Sequence, residues 1–194
     1  MGDPAAIERA LRVLSEFAAS SAASRPRAWS PDASRVASML AALDARVLIR
    51  GDADYPGGLE SLADPPPAIY LRGTLGPLER SVAIVGSRAA SPYGVAQASR
   101  LAADLAGLGL TIVSGLARGI DAAAHRGALE ADGSTVAVLP GGLDVVTPRH
   151  HRDLSEAIVA RGALVTEWSS GPPVAPGVFV RRNRLIAALA SVVV

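Results

Sequence analysis

From residue 81 onward the chain repeats one pattern: a short, wholly apolar run, a turn bearing Gly or small polar residues, then a stretch of helical periodicity. The apolar runs predict strands at Ser81–Val85, Leu110–Val113, Thr135–Leu139, Ala163–Thr166 and Ser191–Val194. Between them, helices are predicted at Tyr93–Leu108, Arg118–Ala131, Asp153–Ala160 and Arg181–Ala190. In the first of these helices the periodicity puts Val95, Leu101, Leu105 and Leu108 inward. Strands without polar alternation must be covered on both faces, which means α/β: a doubly wound, mainly parallel sheet. Right-handed crossovers then bring the strand carboxyl ends to one edge, where such sheets bind ligands.

The part before this rhythm is different. Ile7, Leu11, Leu14 and Phe17 give residues 4–20 a helical period, and Val36, Leu40 and Leu43 do the same for residues 33–44. SAASRPRAWSPD, residues 21–32, reads as a linker. Two short helices bury little surface, so residues 1–45 are expected to be a helical appendage on a main domain at 46–194. That domain opens with strands at Val47–Ile49 and Ile69–Leu71. The closing SVVV reads as a strand in need of cover, so the carboxyl-terminal part of the sheet is expected to be truncated and the sequence to be a piece of a longer protein.

Composition narrows the chemistry. Cysteine is absent, which excludes disulfides, thiolate metal sites and a thiol nucleophile. No apolar run approaches the roughly 18 residues of a membrane span, so a soluble, cytoplasmic protein with no membrane partner is expected. All 19 basic residues are Arg. Any anion site must therefore consist of guanidinium forks and backbone N–H groups. Alanine is abundant, at 38 of 194 residues, so the core must rely on close contacts between small side chains.

Polar, Gly-rich motifs follow the strands: VAIVGSRAASPYG, IVSGLARGIDAAAH, AVLPGGLDVVTPRHH and VTEW. A strand–Gly–helix junction offers free N–H groups and the positive end of a helix dipole to a phosphate. Gly86, Ser87 and Arg88 fit that role in the first loop, and Ser114, Gly115, Arg118 and Gly119 in the second. Gly141 and Gly142 leave the third loop bare. One such loop is weak evidence, because tight turns need Gly anyway; several on one edge weigh more. Neither G-x-G-x-x-G nor the Lys-bearing phosphate loop is present, which argues against a nicotinamide enzyme and excludes a P-loop ATPase.

Asp121 and His125 share a helix face and suit an orienting role better than a catalytic dyad. His150, His151 and Asp153 read as a solvated basic turn rather than a metal site, and Glu167 as structural. Arg181, Arg182 and Arg184 crowd the predicted start of the last helix, against its dipole. A polyanion would relieve that repulsion; pairing with Glu167 or Asp144 is the alternative.

Taken together, YPGGLESLADPPPAIYLRG, VAIVGSRAASPYG, IVSGLARGIDAAAHRGAL, TVAVLPGGLDVVTPRHH, ALVTEW and F-x-x-RNR resemble the DNA-processing protein A (DprA/Smf) family. The resemblance runs from about Asp54 to Val194. It implies a Rossmann-like fold that binds single-stranded DNA in a basic pocket, a homodimer, and loading of the RecA recombinase in natural transformation. Carried over, it puts Gly86, Ser87 and Arg88 at DNA phosphates and Ser114, Gly115, Arg118, Asp121 and His125 around the pocket. Arg149 takes the place of the family's basic residue after Tyr-Pro, and Arg182, Asn183 and Arg184 that of its RNR motif. Thr147 stands for the usual Tyr, and Val180 for the usual Pro after Phe179.

The expected function is thus non-specific binding of single-stranded DNA, which protects it and promotes recombinase loading, with no catalysis and no cofactor. Tyr93, Trp168 and Phe179 are the aromatics able to stack bases. The alternative is a nucleotide-processing enzyme like the phosphoribohydrolases, or a nucleotide sensor. Pro140-Gly141-Gly142 matches half of the hydrolase motif, but the Gly-Thr and the Glu that complete it are missing.

Overall fold

The computed structural model describes residues 7–9, 12, 33–169 and 176–194. Its described elements are helix α1 (Ala33–Ala42), strand β1 (Ala45–Ile49), a short helix α2 (Gly57–Glu60), β2 (Ala68–Gly73), β3 (Ser81–Ala83), α3 (Pro92–Gly107), β4 (Thr111–Ser114), α4 (Ile120–Glu130), β5 (Thr135–Val138), α5 (Arg152–Arg161), β6 (Ala163–Thr166), α6 (Pro176–Ala188) and β7 (Val192–Val193). Single 3-10 turns precede β3 (Leu78–Arg80) and α5 (Arg149–His151). Residues 7–9 and 12 are helical, while the predicted linker and the rest of the first predicted helix lie outside the described residues.

The strands form one sheet in the order β1-β2-β6-β5-β4-β3-β7. β6, β5, β4, β3 and β7 run parallel, and β1 and β2 add an antiparallel edge next to β6. The fold is therefore α/β and mainly parallel, with a reversal in connectivity: β3 to β6 step one way, and the chain then crosses back to place β7 beyond β3.

That reversal decides which face each helix covers. Successive strand residues point to opposite faces. Ala83, Val113, Val136, Val138 and Val165 pack with Leu185, Ile186 and Leu189, which lie on and just after α6. Val82, Ile84 and Ile112 pack with the alanines of α3 and α4 instead. Ala137, Leu139 and Leu164 meet Val36 and Leu40 of α1 and Ile158 of α5. So α6 covers one face, and α1, α3, α4 and α5 cover the other. Helix α1 is docked on the shared core, and Arg72 of β2 fastens that region. Its Nε donates to the Leu43 carbonyl at 2.9 Å, and its two terminal nitrogens each reach a Glu156 carboxylate oxygen at 2.7 Å.

Two sequence expectations need correction. The buried face of α3 is Ala98, Ala102 and Ala106, while Leu108 is 69% exposed and Val95 and Leu101 lie at 36% and 37%. Helix α4 approaches too closely for larger side chains: a Cβ added at Gly127 would lie 2.0 Å from the Ser99 carbonyl oxygen. Of the large apolar residues expected inward, Leu105 does pack against this core, but the small ones dominate it because they permit helix–helix contact. The last helix also starts earlier than predicted. It begins at Pro176, so Arg181, Arg182 and Arg184 sit beyond its first turn rather than at its start.

Candidate nucleic-acid interface

The loops after β3, β4 and β5 and the segment after β6 stand together at the carboxyl edge of the parallel strands. The first two interlock. Ile120 N–H donates to the Ser87 carbonyl at 3.2 Å. Gly119 has φ +78°, and a Cβ there would meet the Ser87 oxygen at 2.2 Å. A Cβ at Gly86 would press on Ile120 at 2.8 Å. These glycines allow the close approach of the loops that carry Arg88 and Arg118.

Beneath the rim lies a layer of buried polar groups. Ser114 is fully buried and its hydroxyl donates to the Ile84 carbonyl at 2.6 Å. Asp121 is 5% exposed and accepts from Ala117 N–H at 3.4 Å. Burial raises its proton affinity; Arg182 and the backbone N–H groups of Ala117, Gly86 and Gly115 lower it. The amides the sequence offered to a phosphate therefore already face an internal carboxylate. His125 donates from Nδ1 to the Thr135 hydroxyl at 2.7 Å, since that hydroxyl itself donates to the Ile112 carbonyl. His151 Nδ1 donates to the Leu116 carbonyl at 2.9 Å and pins the Arg149–His151 turn against the β4–α4 loop. Gly141 and Gly142 are buried, and the Gly141 carbonyl accepts from the Thr166 hydroxyl at 2.7 Å, so the third loop is closed rather than bare.

The arginines divide into two groups. Arg182 is 4% exposed; its Nη1 donates to the carbonyls of Gly115 (2.7 Å) and Val138, bridging the ends of β4 and β5. Burial pushes its guanidinium down to about 10, Asp121 acts against that and Arg88 adds to it. Arg184 pairs with Glu167, whose other oxygen lies 3.3 Å from Arg181 Nε; Arg181 also reaches Asp64 at 3.2 Å. Of the two readings of this cluster, acid pairing describes Arg181 and Arg184, and the segment after β6 carries the acid. Asn183, between them, is exposed.

Arg88, Arg118 and Arg149 are the other group: exposed, on three adjacent loops, and without an ion pair among the described residues. Gly86 and Ser87 are exposed beside Arg88. The Arg88 guanidinium lies over the Phe179 ring, 4.2 Å from its centroid, so α6 supplies a platform for the β3–α3 loop. Tyr93, at the start of α3, is 75% exposed, whereas Trp168 is buried at 9% and offers no open ring to a base. The Arg88–Phe179 contact and the turning of the Gly86 and Gly115 amides toward the Asp121 carboxyl are features absent from the sequence expectations. The first had a signal in a lone Phe ahead of the RNR segment; the second had none beyond an acid in the first turn of a helix.

The model of the family described as DNA recombination-mediator protein A matches residues 46–194. Protein Smf of Synechocystis is 41% identical over 147 residues, covering 73% of this chain and 37% of that protein. A putative DNA processing protein DprA of Mycobacterium tuberculosis is 50% identical over 111 residues, covering 57% of this chain and 28% of that one. The chain thus spans well under half the length of these two relatives. Among solved structures, DNA processing protein A from Streptococcus pneumoniae superposes with a TM-score of 0.75 at 29% identity, covering 96% of this chain and 71% of that one. DNA processing protein A from Helicobacter pylori, solved to describe its single-stranded DNA binding mode, gives 0.70 at 32% identity, covering 78% and 68%.

Proposed function

The chain belongs to the DNA recombination-mediator protein A family, and from that premise we propose that it grips single-stranded DNA with Arg88, Arg118 and Arg149 at the carboxyl edge of its sheet. The observation that carries this reading is the set of exposed guanidiniums on adjacent loops with no ion-paired carboxylate among the described residues. Arg88 also lies close enough to the buried Arg182 to depress its proton affinity. Asp121 beneath offsets part of that repulsion, and an anion above Arg88 would offset more of it. A sugar–phosphate strand supplies such an anion at every nucleotide, and its binding releases condensed counterions.

In this reading the roles are graded. Arg88, Arg118 and Arg149, with Gly86, Ser87 and Asn183 beside them, touch the strand. Ser114, Gly115, Gly141, Gly142, Arg182 and Arg184 build the floor that holds those loops in place. The amides of Gly86 and Gly115 serve Asp121 first, so charge comes from side chains more than from helix dipoles. With Trp168 buried, base stacking falls to Tyr93, and sequence preference is weak. Binding proceeds without catalysis or a cofactor, since the Ser114 hydroxyl and the His125 Nδ1–H are committed to internal acceptors. Promotion of RecA recombinase loading, protection of the strand, homodimer formation and a cytoplasmic location belong to the same proposal.

Labelled oligo-dT titrated against a duplex of equal length, at two salt concentrations, tests the reading. Tight, salt-dependent binding of the single strand is expected, with Arg88→Ala weakening all sequences alike and lowering the salt slope by about one. An unchanged titration of that variant removes Arg88 from the site. Release of free base from nucleoside monophosphates would favour a nucleotide-processing enzyme instead.

A further inference from the structure

Beside the rim, the α4–α5 flank carries a second concentration of positive charge. The His151 hydrogen bond to the Leu116 carbonyl holds the Arg149–His151 turn against the loop that leads into α4. Arg149, His150 and Arg152 therefore stand next to the α4 side of the sheet. Arg118 and Arg126 come from that side, and both lie near enough to His151 to oppose its protonation, as does His150. Arg118, Arg126, Arg149, His150 and Arg152 are all exposed. None of the four arginines has an ion pair among the described residues.

Among the described residues the nearby acids make no ion pair with these arginines, including the exposed Asp153 that follows Arg152 in the first turn of α5. Glu156, four residues beyond Arg152, is taken by Arg72. Glu130, four residues beyond Arg126, makes no ion pair with it. Arg152 also occupies the first position of α5, where a positive charge opposes the helix dipole. The first turn of α5 sets Arg152 beside a single acid, Asp153, next to a loop and a turn that are positive, and a polyanion lying over it would offset the remaining excess. Arg126 lies about 9 Å along the α4 axis from its first residue. The charge thus leads away from the rim and down the flank, as a path longer than the three-loop grip.

We propose that Arg126 and Arg152 extend the nucleic-acid site: a single strand held at the rim by Arg88, Arg118 and Arg149 continues across the α4–α5 flank, phosphates outermost on these guanidiniums. The inference rests on the rim reading and adds a direction and a length to it. A short strand fills the rim alone, and a longer one reaches the flank as well.

The test pairs length with substitution. The full chain and its Arg126→Ala/Arg152→Ala variant are titrated with oligo-dT of about 6 and about 20 nucleotides. For the longer strand the variant is expected to lose roughly tenfold in affinity and about two in salt slope. For the shorter strand it is expected to match the unsubstituted protein, and Arg126→Lys/Arg152→Lys is expected to restore most of the long-strand affinity. An unchanged thermal midpoint shows that the variant is folded. Equal losses at both lengths, or none at either, overturn the extension while leaving the rim reading in place. Failure of the unsubstituted protein to bind either strand overturns both.

Discussion

At the scale of single residues, the Arg88–Phe179 contact decides how well the first loop can work. A guanidinium at an exposed loop tip loses several rotatable bonds when it clamps a phosphate. Resting on an aromatic face 4.2 Å away, it has already lost part of that freedom and keeps its edge open for an oxyanion. Phe179→Ala is therefore expected to weaken single-strand binding by about 0.5–1 kcal/mol, roughly two- to fivefold. Because no charge is removed, the salt slope should stay as it was, unlike that of Arg88→Ala. Phe179→Tyr should retain the affinity. A titration in which Phe179→Ala changes the slope as much as the loss of Arg88 would show the ring to be acting on more than that side chain. The sequence made Arg88 legible as a candidate, since Arg next to a Gly-Ser turn at a strand end has a clear chemical use. It could not reveal the fate of Arg182, whose guanidinium is spent on the Gly115 and Val138 carbonyls, across a separation in sequence of 67 and 44 residues.

At the scale of elements, the sandwich of α3 on α4 sets where the phosphate-facing loops emerge. Their interface is alanine against alanine, with Gly127 so close to Ser99 that an added methyl would sit 2.0 Å from a carbonyl oxygen. Gly127→Ala sets two effects against each other. Alanine improves a helix interior by about 1 kcal/mol. Overpacking against a backbone atom that cannot swing aside costs about 1–3 kcal/mol. The clash should win, so denaturant titration is expected to show a net loss of up to about 2 kcal/mol, and a gain in stability would mean that the helices separate freely. This interface also explains where the sequence was legible and where it was not. The alternation of apolar runs and helical stretches identified β3 to β7, because such strands have no other use. The phase of α3 was misread, because large apolar residues dominate a periodicity count while the contact selects small ones. The antiparallel placement of β1 and β2 beside β6 was also hidden: five- and six-residue apolar strands look alike in either direction.

At the scale of the whole molecule, the polar layer under the rim makes stability respond to pH. His125 is fully buried, its Nε2 has no hydrogen-bond partner among the described residues, and Arg182, His151 and Arg126 act on it electrostatically. Burial first, and then those charges, push its pKa from 6.5 down to about 3. The folded state thus refuses a proton that the unfolded chain accepts. Its contribution to stability is complete above 6.5 and is lost as pH falls from there toward about 3, at up to about 1.4 kcal/mol per pH unit. His151, lowered by burial first, acts in the same direction. Asp121, raised by burial first, acts in the opposite one: what it contributes is complete below 3.8 and lost as pH rises through its raised value. Comparison with His125→Gln isolates the first term, because the other two groups remain in both proteins. Between about pH 6.5 and 5 the unsubstituted protein should lose up to about 2 kcal/mol relative to the variant. Two stability profiles that run parallel through that window would mean that His125 finds its proton in the folded state, and the dry layer beneath the arginines would have to be open to water.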